Sequence, residues 1–324
     1  MKFSVSKGKL LEGLSTVQNV VSTRTTLPIL SNVLLQASDG EIRLTTTDLD
    51  VGVRGSVEAQ VERTGATTLP ARRLFSIVRE LPASEIYFDV DTKNCASIRS
   101  GSSYFKILGL PQEEFPSLTR FEDAKIFTIA QKVLKDGLKK TSYAISTDET
   151  RYVLNGILFS FKDNKLTMVA TDGRRLTLID LEVEFPRSQE TEVIVPAKAV
   201  TEIQRLVREE GEVKLGIGQN QIAFELKRTL LVSKLIEGNY PNYRQVIPSE
   251  ESQLVVPTFC FICHRSNNAL NSSASLRSKR MYGAAAVLPQ ASSANMFTPA
   301  NATWSRSEKI CSSPSHPQRS RSHA

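Results

Sequence analysis

The chain has 324 residues, 40% of them hydrophobic and 23% charged, with a net charge of +7. That length predicts two to three domains of ~100–150 residues each, in a composition typical of globular proteins. No apolar run reaches the ~18 residues of a membrane span, and Met1-Lys2-Phe3-Ser4-Val5 opens no apolar signal region, so a cytoplasmic location is expected.

The charge is unevenly placed. From Leu254 onward there are eight Lys and Arg against one acid, Glu308, whereas residues 1–253 hold 33 of each sign. The stretch after 254 also contains all three His, the only Trp, three of the four Cys and fourteen Ser. Residues 1–253 have no His, and their only Cys is Cys95. That excludes Ser–His–Asp and Cys–His catalysis there, along with most zinc chemistry.

In chain order, Leu10, Leu14, Val17 and Val21 recur at helical spacing and predict a helix over about 7–20. Val33–Ala37 and Glu41–Thr46 flank Asp39-Gly40, a two-residue hairpin turn. A second helix over about 71–81 follows Pro70 and carries Leu74, Phe75, Val78 and Leu81. Strands and a Phe115-Pro116 turn close the segment.

The pattern then repeats. A shift of about 124 lays Leu30–Leu35 over Leu154–Phe159, Asp39-Gly40 over Asp163-Asn164 and Thr47-Asp48 over Thr171-Asp172. A shift of about 126 lays Pro70-Ala71-Arg72 over Pro196-Ala197-Lys198, and a shift of about 125 lays Phe115-Pro116 over Tyr240-Pro241. The matching helices fall at about 131–145, with Leu134, Leu138, Thr141 and Ile145, and at about 197–210, with Val200, Ile203 and Val207. Two tandem α+β domains are expected, 1–122 and 123–249, each with two helices and about eight strands. Residues 250–324 form a Ser/Arg-rich tail whose composition predicts disorder.

The four predicted helices have net charges of +1, +2, +3 and 0 in a body that is neutral. Strands and loops are therefore negative. If the helices share one surface, that surface attracts a phosphate backbone. Lys and Arg are also ordinary helix formers on solvated faces. No base-reading motif is visible, so binding is expected to be independent of sequence.

Several segments carry a resemblance: Met1-Lys2-Phe3, Arg24-Thr25-Thr26-Leu27-Pro28-Ile29-Leu30, Thr46-Thr47-Asp48-Leu49, Thr67–Arg72, Arg151–Gly156, Val169–Leu176 and Tyr240-Pro241-Asn242-Tyr243. Over residues 1–250 they closely resemble the bacterial sliding clamps, the beta subunits of DNA polymerase III. The resemblance implies a DNA clamp fold and a ring of two three-domain chains joined head to tail, with helices lining the hole. It implies a processivity factor that encircles double-stranded DNA and tethers the polymerase, with no active site and no cofactor. It also implies a cleft that captures short peptides from the polymerase III alpha subunit, the clamp loader and repair polymerases.

Carried over residue by residue, Arg24, Arg72 and Tyr152 stand at DNA-contacting positions. Asp148 and Val153 stand there too, as types poorly suited to phosphate. Lys198 joins them as the repeat-mate of Arg72. The cleft maps to Leu154, Thr171, Gly173, Arg174, Arg175, Leu176, Pro241 and Val246. Taken alone, Leu154, Leu176 and Val246 read as core, and Arg174-Arg175 as a solvated loop.

The repeat predicts a third domain from about 250 to 370, but nothing after about Pro257 fits it. A frameshift, a genuine extension and a distinct small domain are the competing readings. On any of them this chain is expected not to close a ring by itself. That leaves a two-domain clamp-derived DNA- and peptide-binding protein as an alternative. Two further alternatives use other residues. Cys260, Cys263 and His264 match the C-x-x-C-H haem pattern, with His316, His323, Met281 or Met296 as a second ligand, or form a zinc site with Cys311. Asp48, Asp50 and Asp172 are candidates for a metal-dependent nuclease.

Overall fold

A computed structural model describes residues 1–21, 27–82, 84–118 and 124–247. The first half runs β1 (Lys2–Ser6), α1 (Lys7–Val17), β2 (Asn32–Ser38), β3 (Glu41–Thr47), β4 (Val51–Glu58), β5 (Gln60–Arg63), β6 (Gly65–Pro70), α2 (Ala71–Glu80), β7 (Glu85–Val90), β8 (Cys95–Ser100) and β9 (Ser103–Leu108). The second half runs β10 (Lys125–Ala130), α3 (Gln131–Thr141), β11 (Gly156–Lys162), β12 (Lys165–Thr171), β13 (Leu176–Glu182), β14 (Thr191–Pro196), α4 (Ala197–Leu206), β15 (Glu212–Ile217), β16 (Gln221–Leu226) and β17 (Thr229–Lys234). The order is the same in both, except that β5 is an extra strand in the first. The architecture is α+β.

The hairpin turns form as their sequences require. Asp39 and Gly40 have φ of 50° and 76°, and Asp163 and Asn164 have 52° and 57°, the paired positive values of a type I′ turn. Each turn fixes the register of its hairpin, with Ser38 opposite Glu41 and Lys162 opposite Lys165.

Three antiparallel sheets result, in the orders β5-β1-β7-β8-β9, β13-β12-β11-β14 and β10-β15-β16-β17-β4-β3-β2-β6. The eight-stranded sheet is the architectural centre. In it β17 of the second half pairs with β4 of the first, with Leu231 opposite Val53 and Ser233 opposite Val51. The halves therefore share one continuous hydrogen-bonded sheet rather than abutting as separate bodies.

The helices pack on these sheets through the predicted stripes. Leu10, Leu14 and Val17, Leu74 and Val78, Leu134 and Leu138, and Val200 and Ile203 are all buried, each stabilising by about 1.5–3 kcal/mol. α1 packs on α2 and α3 on α4. Arg208, just beyond α4, reaches Glu12 of α1 at 2.9 Å. The four helices thus form a row in the order α2, α1, α4, α3.

Three helices are shorter than their stripes predict. α1 ends at Val17, yet Val20 and Val21 stay buried. α3 ends at Thr141, whose hydroxyl donates back to the Gly137 carbonyl at 2.9 Å, and the chain tightens into a 3-10 turn over Ser142–Ala144. α4 ends at Leu206 while Val207 remains in the core. Apolar burial continues past each helix end, so periodicity alone overshoots. With Glu209 and Glu210 outside α4, its net charge is +1 rather than 0.

Candidate functional site

The helix row carries net charges of +2, +1, +1 and +3 in the order α2, α1, α4, α3. On α3, Lys132, Lys139 and Lys140 are exposed, and Lys135 is held by Glu209 at 2.6 Å. On α2, Arg72 and Arg73 are exposed in the first turn, and neither forms an ion pair among the described residues.

The proposed DNA-contacting residues behave differently from one another. Arg24 lies outside the described residues. Arg72 is free to meet a phosphate. Tyr152 is 59% exposed and borders Gly238, where an added Cβ would lie 3.4 Å from its hydroxyl. Val153 is half-buried and packs in the cluster of Leu158, Val169 and Ile194. Asp148 caps the 3-10 segment Glu149–Leu154, accepting from the Thr150 hydroxyl at 2.7 Å and its backbone N–H at 3.0 Å. Those two bonds hold its carboxyl below the ordinary range. Asp148 thus has a structural task in this chain.

Lys198 is committed elsewhere. Its ammonium pairs with the nearly buried Asp48 carboxylate of the first half. Burial lowers the Lys198 pKa, opposed by the nearby Glu202. Its repeat-mate Arg72 has no such partner, so matching positions in the two halves do different work.

Of the cleft residues, Pro241 lines a hollow with Leu158, Ile194, Ile236, Tyr240 and Tyr243, and Leu176 packs in the adjoining apolar cluster. Thr171 ends β12 opposite Leu176, the first residue of β13. Between them Asp172 accepts from the Arg174 and Arg175 backbone N–H groups at 2.9 and 3.0 Å and from the Arg175 guanidinium at 3.0 Å. Burial pushes the Asp172 carboxyl up, but these donors outweigh it and hold it below its ordinary value. Gly173 has φ of +85°, and a side chain there would also strike the Arg151 guanidinium at 2.8 Å. Asp172 thus accepts from the loop's own backbone, and the Arg175 guanidinium lies 5.7 Å from the Tyr143 ring.

Leu176 joins Leu158, Val169 and Ile194 in an apolar patch closed by Tyr240 and Tyr243. The Tyr240 hydroxyl is buried beside the Thr171 backbone without a completed hydrogen bond, and burial pushes its pKa up to about 12. Pro241 follows on the surface, and Val246 is 55% exposed. Leu154 is 5% exposed and serves the core, with its carbonyl accepting from Ser146 N–H. Arg151 and Tyr240 were not among the predicted site residues, and the Tyr-Pro turn was the signal for the second.

Asp48, Asp50 and Asp172 do not assemble a nuclease centre. Asp48 caps its own turn through the Asp50 and Val51 backbone N–H groups and holds Lys198, Asp50 faces Lys234 at 3.2 Å, and Asp172 is taken by its own loop. Among the described residues no three His, Cys, Asp or Glu could hold a metal. Cys260, Cys263 and His264 lie outside the described residues. Among those residues no helix is long and apolar enough to cross a membrane.

Comparison with known proteins decides the family. Residues 1–119 match the N-terminal domain of the DNA polymerase III beta subunit, and residues 128–242 match its central domain. The chain belongs to the beta sliding clamp family. It is 39% identical over 252 residues to the beta sliding clamp of Chlamydia muridarum, covering 78% of this chain and 69% of that one. Against the C. trachomatis clamp the identity is 40%, and 61% of that protein is spanned. The crystal structure of the Bacillus subtilis clamp aligns with a TM-score of 0.75 at 31% identity, covering 77% of this chain and 68% of that one. The Bartonella birtlesii DnaN clamp bound to griselimycin aligns at 0.74 and 41%, covering 76% and 68%. Beta sliding clamps are non-catalytic processivity factors of DNA replication.

Proposed function

We propose that residues 1–247 are the DNA-facing and peptide-capturing part of a cytoplasmic sliding clamp. The row of four net-positive helices carries this reading. Such a surface holds duplex DNA through its backbone, weakly enough to slide and without base preference. Arg72 and Tyr152 are the contacts proposed from the predicted set. Lys132, Lys139 and Lys140 add charge from α3.

The apolar patch at Leu176, Tyr240 and Pro241, rimmed by Arg174 and Arg175, suits a short extended peptide with apolar anchors and an acidic or polar residue. The polymerase III alpha subunit, the clamp loader and repair polymerases are its proposed donors. Griselimycin, bound by the Bartonella clamp, is the probe we propose for this patch.

Anisotropy titrations of two duplexes of equal length and unrelated sequence test the DNA half. Equal affinities that fall linearly with log salt are expected. A tenfold sequence preference, or affinity indifferent to salt, would overturn it. Loss of griselimycin binding in Leu176→Asp, with DNA affinity retained, is the expected result for the patch.

A further inference from the structure

The sheet β13-β12-β11-β14 takes no part in the β17–β4 seam between the repeats. One of its faces carries a hollow of about 620 Å³, a size typical of ligand sites. The cleft residues gather where β12 ends and β13 begins, around Thr171 and Leu176. The hollow lies over the other two strands, with Leu158 of β11 directly opposite Ile194 of β14 in its floor. The segment from Leu235 to Arg244 roofs it. Ile236 N–H donates to the Ile194 carbonyl at 3.0 Å, and Tyr240 and Tyr243 pack on the apolar floor. The Tyr240-Pro241 turn thus borders both the patch and the hollow.

The first repeat closes the matching place. At a shift of 126, Thr68, Asn94, Gly109 and Leu110 correspond to Ile194, Asn220, Leu235 and Ile236. Thr68 and Leu110 exchange both backbone hydrogen bonds at 3.1 Å, and the Thr68 hydroxyl adds a third at 2.9 Å. Gly109 permits this approach, since a Cβ there would stand 2.2 Å from the Thr68 carbonyl oxygen. Leu235 carries the side chain that Gly109 lacks, and Ile194 has no hydroxyl to add. The second repeat therefore cannot draw its roof onto the sheet in the same way, and room is left beneath it.

The polar lining has a pattern. Lys162 pairs with Glu192 at 2.8 Å, and Glu192 also accepts from the Ser160 hydroxyl at 2.9 Å. The hydrogen bond to Glu192 raises the Lys162 pKa against Arg244, and the same bond lowers that of Glu192 with help from Arg244. Arg244 therefore lies close to both. Its guanidinium sits 5.9 Å from the Tyr243 ring and forms no ion pair among the described residues. Two cations thus face one carboxylate at this end. Glu237, the fourth charged lining residue, stands at the other end of the roof, next to Ile236. Asn220 and Asn239 contribute side-chain amides with no hydrogen-bond partner among the described residues.

We propose that the hollow is a second peptide-docking site, separate from the patch, for an extended segment of a partner protein that lays a leucine or phenylalanine on Leu158 and Ile194 and an acidic residue against Arg244. The carboxylate answers the surplus cation. The free amides suit the backbone of an extended chain, and a basic residue beyond the anchor meets Glu237. Occupation of the hollow does not require the patch to be filled.

Anisotropy of the full chain with two labelled peptides tests this. Asp-Asp-Phe-Ser-Lys should bind saturably and about tenfold more tightly than its charge-inverted counterpart, Lys-Lys-Phe-Ser-Asp. Arg244→Glu should reverse that preference, a result that a misfolded chain cannot give. Asn220→Trp, which adds bulk to the hollow from an exposed position, should abolish binding of the first peptide. Leu176→Asp and excess griselimycin should leave it unchanged. No saturation by ~1 mM, equal affinity for the two peptides, or a preference that survives Arg244→Glu would overturn the proposal. So would binding that persists in Asn220→Trp, is lost in Leu176→Asp, or is displaced by griselimycin. Griselimycin binding to the parent chain is the separate readout of the patch, so a failure there leaves the hollow standing.

Discussion

The side chain of Leu118 lies on Gly52: a Cβ at position 52 would stand 2.2 Å from Leu118 Cδ2. Gly52 opens the strand-facing position that Leu176 holds in the second repeat, since each pairs with the last residue of the preceding strand. The first repeat thus fills with Leu118 the space that the Leu176 side chain itself takes in the second. Gly52→Leu should displace Leu118 and cost about 1–3 kcal/mol by overpacking. Adding Leu118→Ala should recover most of that loss, as read from urea midpoints. Equal stability of the single and double variants would show that the two side chains do not compete.

Arg72 and Lys198 should separate in DNA binding. Arg72→Ala removes one phosphate contact and should reduce the slope of log K against log salt by about 0.9. Lys198→Ala should leave the slope unchanged. It strands the Asp48 carboxylate, 8% exposed, and should lower stability by about 1–3 kcal/mol. An equal loss of slope in both variants would return Lys198 to the DNA surface.

Glu58 predicts the acid behaviour of the seam. Hydrogen bonds from Lys9 and Arg228 lower its pKa from 4.5 to about 2. A depressed carboxylate stabilises fully above its unfolded value, and the contribution is lost as pH falls from about 4.5 toward 2. Glu58→Gln should therefore flatten the fall in urea midpoint across that window, and should show less dependence on salt at neutral pH. Parallel acid curves for the variant and the parent would contradict this.

Tyr240 should be spectroscopically distinct. Burial moves its pKa from 10.0 to about 12, and the hydrogen bond to Glu85 also raises that of Tyr87, so the late phase of an alkaline absorbance titration should shrink in Tyr240→Phe. The raised value means that its contribution is complete below pH about 10 and is lost as pH rises toward 12. Because the hydroxyl has no completed hydrogen bond, Tyr240→Phe should change stability by less than about 0.5 kcal/mol at neutral pH and keep the patch. Tyr240→Ala should cost about 2–4 kcal/mol and abolish peptide capture. A large loss in the Phe variant would reveal a hydroxyl partner.

The sequence made the local structure legible and the long-range structure far less so. The stripe Leu10, Leu14, Val17, Val21 marks buried residues correctly, because burial needs only a recurring apolar face. It misplaces the end of α1, because Val21 packs from a non-helical segment. Asp39-Gly40 and Asp163-Asn164 specify their turns because few residues tolerate positive φ. The seam was invisible. β4 and β17 are far apart in the chain, and nothing in Val51–Glu58 names Thr229–Lys234 as its neighbour. The Lys198–Asp48 pair follows from that seam, so Lys198 could be read only as the echo of Arg72. The loop at Asp172–Arg175 was recognisable as a motif, whereas its neighbours Arg151 and Tyr143 are brought near only by the fold.

The shared sheet also decides how the molecule comes apart. A sequence built as two tandem copies invites the picture of beads that melt one after the other. Separating β17 from β4 would expose Val53 and Leu231, both fully buried, and would leave a ladder of backbone groups unpaired in both halves at once. The repeats are thereby coupled into one cooperative unit, and a calorimetric scan of this region should show a single transition whose calorimetric and van't Hoff enthalpies agree.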